Sequence, residues 1–346
     1  MYPFFSSRLG RSLEFVSDLP ALERRLKRSR LEALLLVEGN KFDPVVKSDY
    51  LRVFKIAKER GARLGFFATG ANPAQINQDY LDIVDVYFKP TLLEAPFEYG
   101  SRYIGGKVWA DWLERNGKGL GSQDMGSNDA VQFANFEKLM MSWNVGIGLY
   151  PRTALNNRIY PLIERTVGPS WAIYLKPRVP KFLGQRERRS MLHARMSVHD
   201  ANSYVAMHRR LALETATQNV PTLVGKVSSR IYLKELAEVS AVLSPFGSGE
   251  VCYRDFEAAH CGAALIKPEM SHLRTWPDIY RPDCYFPTGW DSAGLVEAFR
   301  QVKDLGPERA RSAFEVFRQA YDDIETRVEG VVQALVSSRK PKDPNV

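Results

Sequence analysis

The 346-residue chain has few of the residues from which disulfides, zinc sites and membrane spans are built. Its three cysteines, Cys252, Cys261 and Cys284, form no Cys-x-x-Cys pair, so we expect free buried thiols rather than a disulfide framework or a zinc site. No apolar run approaches the ~20 residues that a membrane-spanning helix needs. The amino-terminal stretch lacks an uninterrupted apolar core behind a basic start, which predicts no secretion signal and a cytoplasmic protein.

Basic residues outnumber acidic ones by 48 to 40, which gives a formal net charge of +8 at pH 7. A surplus of this sign predicts anionic partners. Nucleic acid is not expected among them, because the chain has no known binding motif and no basic stretch interleaved with aromatic residues. The hydrophobic content of 45% is that of an ordinary globular protein, and the length suits two domains.

Strand-like and helix-like stretches alternate in the first part of the chain, which predicts a doubly wound α/β domain over residues 1–142. The predicted strands are 34–37, 64–68 and 84–88, and the predicted helix is 50–60. Ligands of such sheets lie at the carboxyl ends of the strands, so polar residues after these strands are candidate cleft residues. They are Glu38, Asn40, Asp43, Thr69 and Asn72.

A second doubly wound domain is predicted over residues 143–306, after a glycine-rich connection at 116–129 that we expect to be flexible. Its predicted strands are 145–150, 171–175, 222–227, 241–243 and 264–266, and its predicted helices are 155–165, 202–217 and 230–238. Residues 308–337 have helical periodicity, and 338–346 are predicted to be a loose tail.

The most informative segment is 244–268, SPFGSGEVCYRDFEAAHCGAALIKP, which reads as a strand end, a glycine loop, a helix and a second strand. If the helix begins directly after the loop, Glu250, Arg254 and Glu257 fall on one face with Cys261. A helix start after glycines suits a phosphate, an arginine suits a diphosphate, and a carboxylate can accept hydrogen bonds from ribose. The alternative is an ordinary amphipathic helix with exposed salt bridges.

Residues 244–280 resemble the donor-binding motif of GT-B glycosyltransferases, in particular bacterial group 1 enzymes with SPFGxGE, an R-x-x-E helix and G-x-x-L-I-x-P. The resemblance extends thinly upstream, through Gly225-Lys226-Val227, Tyr232-x-x-Glu235-Leu236 and Tyr150-Pro151-Arg152, and it does not reach residues 1–142. It implies two Rossmann-like domains that face each other across a cleft. It also implies that a carboxyl-terminal helix, residues 307–337, crosses back to the first domain.

The resemblance further implies that the second domain binds a nucleotide-diphosphate sugar. Glu250 and Arg254 would serve catalysis, Glu257 would bind the ribose, and Glu250 would face the sugar beside the Ser248 and Gly249 backbone. The implied donor-binding residues are Arg152, Lys226, Ser248, Gly249, Glu250, Arg254 and Glu257. The chain has no Asp-x-Asp triplet, the usual metal–diphosphate anchor of the other glycosyltransferase fold, so neither a metal nor another cofactor is expected.

An inverting transfer needs a general base on the acceptor side. All five histidines lie in the second half of the chain, so Asp43 and Glu38 are the candidate bases. The well-known retaining enzymes of this fold have one more residue between their two glutamates than lies between Glu250 and Glu257, so the stereochemistry stays open.

The expected acceptor is a glycan, a lipid-linked molecule or another compound, as in bacterial polysaccharide biosynthesis. A basic cluster is either a solvated helix face or a peripheral contact with an anionic membrane; it comprises Arg24, Arg25, Lys27, Arg28 and Arg30. Two alternatives to the transferase remain open. One is a non-catalytic protein that binds nucleotide sugars, and the other is an enzyme of the same fold, such as an epimerase.

Overall fold

Two parallel β-sheets organise the chain in a computed structural model, which describes residues 3–4, 7–16, 19–38, 44–121, 133–148, 181–184, 187–198 and 203–337. Within these ranges the strands are β1 (Ala33–Val37), β2 (Arg63–Phe67), β3 (Val86–Lys89), β4 (Thr91–Leu93), β5 (Leu139–Met141), β6 (Arg189–His193), β7 (Thr222–Leu223), β8 (Val239–Leu243), β9 (Ala264–Pro268), β10 (Leu273–Thr275) and β11 (Phe286–Thr288). The α-helices are α1 (Leu19–Arg28), α2 (Pro44–Glu59), α3 (Gln78–Ile83), α4 (Val108–Arg115), α5 (Tyr204–Asn219), α6 (Ser229–Glu238), α7 (Tyr253–Cys261), α8 (Leu295–Asp322) and α9 (Ile324–Val336).

The first sheet has the strand order β1-β2-β3-β5, and every pairing in it is parallel. Its strands are short apolar runs, and β3 is buried along its whole length because both faces of the sheet are covered. The last helix, α9, covers one of those faces and contacts β1 and β2. The Arg63 Nε donates to the Leu335 carbonyl at 2.7 Å, and Arg327 donates to the carbonyls of Met141 and Ser142.

The second sheet has the order β11-β9-β8-β6-β7, again with parallel pairings throughout. From β6 the chain passes to β7 on one side, and it then returns to place β8 on the other side. The order of the strands therefore reverses between β6 and β8. In open α/β sheets the crevice at the carboxyl ends of such neighbouring strands is the usual place for a ligand.

The expected fold class is confirmed: the described part of the chain is α/β and has one parallel sheet in each half, consistent with two Rossmann-like domains. Several predicted elements differ. Residues 145–148 form a turn rather than the start of a strand, because the Asn144 Oδ1 accepts the Gly146 N–H and Tyr321 bonds to Gly148. The strand at 222–227 is reduced to β7, and β6 was not predicted. The helix expected at 155–165 and the strand expected at 171–175 lie outside the described residues.

Two helix boundaries also correct the sequence analysis. Helix α7 begins at Tyr253 and not directly after the glycine loop, because Cys252 has an extended backbone (φ −122°, ψ 152°). Glu250 therefore lies in the loop and does not share a helix face with Arg254 and Glu257. The stretch 308–337 is the end of α8 followed by α9, separated at Asp323, whose ψ of 2° leaves the helical range.

The two halves, residues up to 148 and residues from 187 to 322, contact each other closely. Strand β4 of the first half pairs antiparallel with β10 of the second half. In the loop after β8, Gly249 packs on the first half so tightly that a Cβ atom there would lie 2.0 Å from the Ala71 carbonyl oxygen. Nearby, the Trp109 ring of α4 lies 4.9 Å from His208 and 5.5 Å from Phe246, centroid to centroid.

We expect Gly249→Ala to lower the free energy of unfolding by about 1–3 kcal/mol, because the added methyl group would collide with a backbone atom and push the halves apart. Gly330→Ala is the matched control, since a Cβ atom at Gly330 in α9 meets nothing within 4 Å. The control should gain about 0.5–1 kcal/mol from helix propensity. Urea unfolding measures both, and equal stability of Gly249→Ala and wild type would contradict the close packing of the halves.

Candidate functional site

The candidate site lies where the second sheet reverses its strand order and meets the first half. The loop 244–252 leaves β8 at its carboxyl end and leads into α7. The segment after β6, residues 194–198, leaves the neighbouring strand at the same edge. A buried ion pair fixes this loop, and lysine and arginine side chains surround it.

Asp255 on α7 holds the loop at both of its ends. Its carboxylate accepts the Cys252 N–H at 2.9 Å, the Ser244 hydroxyl and the Tyr280 hydroxyl at 2.7 Å. Lys267 of β9 lies 3.1 Å from the same carboxylate, and both side chains are fully buried. Lys267 also donates to the Ser244 carbonyl at 3.2 Å. The start and the end of the glycine loop are thereby fixed to one buried ion pair.

Asp255 was not among the predicted site residues. One signal was available: an acidic residue three positions after a helix N-cap can accept the backbone N–H of the cap, and Cys252 with Asp255 has this spacing. Because α7 was expected to begin earlier, Cys252 was not recognised as the N-cap and its spacing to Asp255 was not used.

Glu250 is the unusual group of the site. Its side chain is 1% exposed, and among the described residues no other residue hydrogen-bonds to either carboxylate oxygen. Burial raises the pKa of Glu250 above its ordinary value, and the charges of Lys107, Lys267 and Lys89 oppose that rise. A carboxylate that is buried with unfilled hydrogen-bonding capacity is costly to the fold, which points to a binding role.

Two of the lysines around Glu250 come from the first half. Lys89 ends β3, is fully buried and donates to the carbonyls of Asn72 (3.2 Å) and Gln75 (2.6 Å). Burial lowers the pKa of Lys89 to about 8, although the charges of Glu38 and Glu250 both raise it. Lys107 donates to the Ser248 carbonyl, and burial lowers its pKa too. Neither lysine was predicted, because the candidate residues of this half were the acidic and polar side chains that follow its strands.

Three arginines lie near the point where the strand order reverses. The Arg254 Nη2 donates to the Arg195 carbonyl at 2.7 Å, while the Arg195 guanidinium makes a bidentate contact with Glu235 at 2.7 and 2.9 Å. Arg209 of α5 donates to the Ser197 carbonyl and to the Phe246 carbonyl. Burial lowers the pKa of Arg209, and the nearby charge of Arg254 lowers it further. Arg195 was not predicted, because β6 was not predicted, and Arg209 was not singled out although its helix was predicted over residues 202–217.

The remaining predicted residues of the second half occupy different surroundings. Glu257, one turn after Arg254, accepts the Tyr232 hydroxyl at 2.9 Å. Lys226 is exposed in the loop after β7. Ser248 is exposed and Gly249 is buried, and both are at the contact with the first half. The structure thus brings Ser248, Gly249 and Glu250 together in one loop, with Arg254 on the helix that follows.

Glu38, a candidate base, follows β1 and is half-buried. Its Oε2 accepts the backbone N–H groups of Thr69 (2.7 Å) and Gly70 (2.9 Å), so it orders the loop after β2. It also lies within electrostatic range of Lys89. Asp43, Asn40 and Arg152 lie outside the described residues.

No cluster of three or more histidine, cysteine, aspartate or glutamate side chains suited to a metal ion occurs in the described part of the chain. The helices in that part include none with the length and apolar character that crossing a membrane would require. The three cysteines are unbonded thiols, of which Cys261 and Cys284 are buried.

No protein-family model and no curated protein matches the chain. Among solved structures, it is similar to a UDP-forming α,α-trehalose-phosphate synthase from Burkholderia xenovorans in complex with glucose-6-phosphate, at 12% identity and a TM-score of 0.42 over 97% of this chain and 82% of that one. It is similar to WaaG, a glycosyltransferase involved in lipopolysaccharide biosynthesis, at 16% identity and a TM-score of 0.35 over 87% and 85%.

A putative UDP-N-acetylglucosamine 2-epimerase from Listeria monocytogenes is also similar, at 9% identity and a TM-score of 0.35 over 94% of this chain and 79% of that one. The fold class rests on the chain's own two sheets.

We expect Asp255→Ala to lower the free energy of unfolding by about 3–5 kcal/mol, because it leaves the buried Lys267 ammonium without its carboxylate. The control is Asp304→Asn, which changes an exposed aspartate of α8 and should stay within about 0.5 kcal/mol of wild type. Chemical denaturation monitored by circular dichroism gives both values. A loss below about 1 kcal/mol in Asp255→Ala would show that the ion pair does not hold the loop.

Proposed function

We propose that the protein is a glycosyltransferase that moves a sugar from a nucleotide-diphosphate sugar to a glycan, lipid-linked or other acceptor without a metal ion. The observation that carries this proposal is Glu250: a buried carboxylate with no hydrogen-bond partner from another described residue, between the two halves. It lies in the loop 244–252, whose sequence resembles a nucleotide-sugar motif. A sugar bears hydroxyl groups that can donate to both of its free oxygens.

In this proposal the donor diphosphate lies at the reversal point of the second sheet, with Arg254, Arg209 and Lys226 as its cationic partners. The diphosphate gains negative charge as the sugar leaves, and fixed guanidinium groups stabilise that charge without having to reorganise. Arg152 remains a proposed partner of the diphosphate from the resemblance alone. The ribose would reach Glu257, whose contact with Tyr232 holds the carboxylate in place.

The first half would contribute to the same site from the other side. Lys89 and Lys107 add positive charge beside Glu250, and the packing of Gly249 on Ala71 excludes water from the carboxylate. Water exclusion limits hydrolysis of the donor and strengthens the electrostatic interactions in the site. The acceptor would bind on the first-half side, where Glu38 and Asp43 stay the candidate bases. We also propose a cytoplasmic location with peripheral contact between α1 and an anionic membrane.

Binding of UDP, GDP, ADP, CMP and dTDP tests the donor site. We expect one of these nucleotides to raise the melting temperature of the wild-type protein, since a ligand that binds only the folded state stabilises it by mass action. Arg254→Ala should abolish that shift and reduce turnover by about 100-fold or more. Lys55→Ala, which removes an exposed lysine of α2, should keep both.

No shift with any of the five nucleotides would contradict the proposal. The products made from a panel of nucleotide sugars separate the alternatives. Release of an altered sugar without an acceptor would identify an epimerase, and binding without any product would identify a non-catalytic protein.

Glu250→Gln should raise the stability of the protein and lower its turnover. The amide has nearly the same shape, and it removes the cost of burying a carboxylate. Burial raises the pKa of Glu250 in the folded state above its value in the unfolded state. Below the unfolded-state pKa the carboxyl is neutral in both states, so it does not destabilise the fold. The destabilisation grows as the pH rises and is complete above the folded-state pKa. The stability gain of the variant should therefore be largest at neutral pH and shrink towards pH 4, as followed by urea unfolding. Unchanged turnover of Glu250→Gln would show that the Glu250 carboxylate takes no part in the reaction.

A further inference from the structure

The second half contains a cavity at the end of its sheet that lies opposite the candidate site. Its volume is about 880 Å³. Ser190, Ser240 and Gly262 line it, and they lie at the amino-terminal ends of β6, β8 and β9. Glu250 and the three arginines of the candidate site lie at the carboxyl ends of the same sheet, so the two sites are separate.

The charge of this cavity is strongly one-sided. The described residues of its lining include the cations Arg188, Arg300, Lys303 and Arg311 and one carboxylate, Glu187. Arg300 and Lys303 are exposed on α8, where their side chains can turn towards a ligand. Arg300 lies 3.6 Å from Glu297 and Arg311 lies 3.9 Å from Glu315, and both contacts are exposed to solvent. Exposed pairs of this length contribute little energy, so an anion can compete for these arginines.

Arg188 plays a different part from the cations of α8. Its guanidinium donates to the Val239 carbonyl at 2.8 Å, the Leu236 carbonyl at 3.3 Å and the Cys261 carbonyl. These bonds hold the guanidinium at the carboxyl ends of α6 and α7. It therefore supplies a fixed positive charge to the wall of the cavity, which offsets the negative ends of the two helices.

The inner surface of the cavity is apolar and roomy. Phe182, Phe299 and Val302 line it, and glycines occupy three further positions of the wall. The guanidinium of Arg311 lies over the Phe182 ring at 3.9 Å from its centroid, which keeps the ring in place. The volume lies within the range of about 300–1,000 Å³ that is usual for small-molecule sites.

We propose that this cavity is a second binding site, for an organic monophosphate whose apolar body enters between Phe182 and Phe299 and whose phosphate meets Arg300 and Lys303 at the rim. An alkyl phosphate and a nucleoside monophosphate share this chemistry. The proposal is independent of the proposed glycosyltransferase activity, because none of the cavity residues belongs to the candidate site.

The fluorescent anion 8-anilinonaphthalene-1-sulfonate serves as the probe, since it joins aromatic rings to a sulfonate. We expect the double substitution Arg300→Glu with Lys303→Glu to weaken its binding by about tenfold or more, because both cations become repulsive. The matched control, Lys55→Glu with Lys58→Glu, reverses two exposed cations of α2 at the same spacing and should bind the probe as wild type does. Circular dichroism checks that both variants are folded.

Competition experiments identify the ligand. They follow the probe fluorescence that wild type shows and the cavity variant lacks, and they measure how much of it each added compound removes. Displacement by dodecyl phosphate indicates an alkyl phosphate, displacement by UMP indicates a nucleoside monophosphate, and either result supports the proposal. Three results would overturn it: equal probe binding in the cavity variant and wild type, no displacement by either compound, or equally good displacement by inorganic phosphate alone.

Discussion

The buried ion pair of Asp255 and Lys267 is the constraint on which the candidate site depends. Removing two charges from water is expensive, and the cost is recovered only if the remaining hydrogen-bonding groups are satisfied. Here Ser244, Cys252 and Tyr280 satisfy the carboxylate, and the Ser244 carbonyl satisfies the ammonium. Because Ser244 and Cys252 are the two ends of the glycine loop, the same contacts that stabilise the ion pair also position Glu250 between them.

The burial of Glu250 needs both halves of the chain. The second half supplies the loop, and the first half supplies the Ala71 backbone on which Gly249 packs and the Lys107 ammonium that bonds the Ser248 carbonyl. The rings of Trp109, His208 and Phe246 hold α4 against the second half nearby. The electrostatic environment of the carboxylate is therefore a property of the contact between the halves and not of the loop alone.

The sequence predicted the elements whose signal is local. The runs that became β1, β2, β8 and β9 are continuous and apolar, which is the pattern of strands buried on both faces. Strand β6 was missed because its first residues, Arg189 and Ser190, are exposed and polar, so it lacks that pattern. The glycine loop and its motif could be found from sequence, and Arg254 and Glu257 followed from the predicted helix. Lys89 could not be assigned, because the burial of a charged side chain is decided by distant parts of the chain. For Asp255 only the capping relation to Cys252 was available, and the burial of its pair with Lys267 was not.

The position of α9 on the first sheet has a consequence during synthesis. Arg63 and its carbonyl partner Leu335 are separated by 272 positions, so α9 cannot cover this face of β1 and β2 until those residues have been made. At typical ribosomal rates of about 5–20 residues per second, that interval is on the order of half a minute. The first sheet therefore keeps an apolar face exposed during that interval, and exposed apolar surface of this kind makes folding intermediates prone to aggregation.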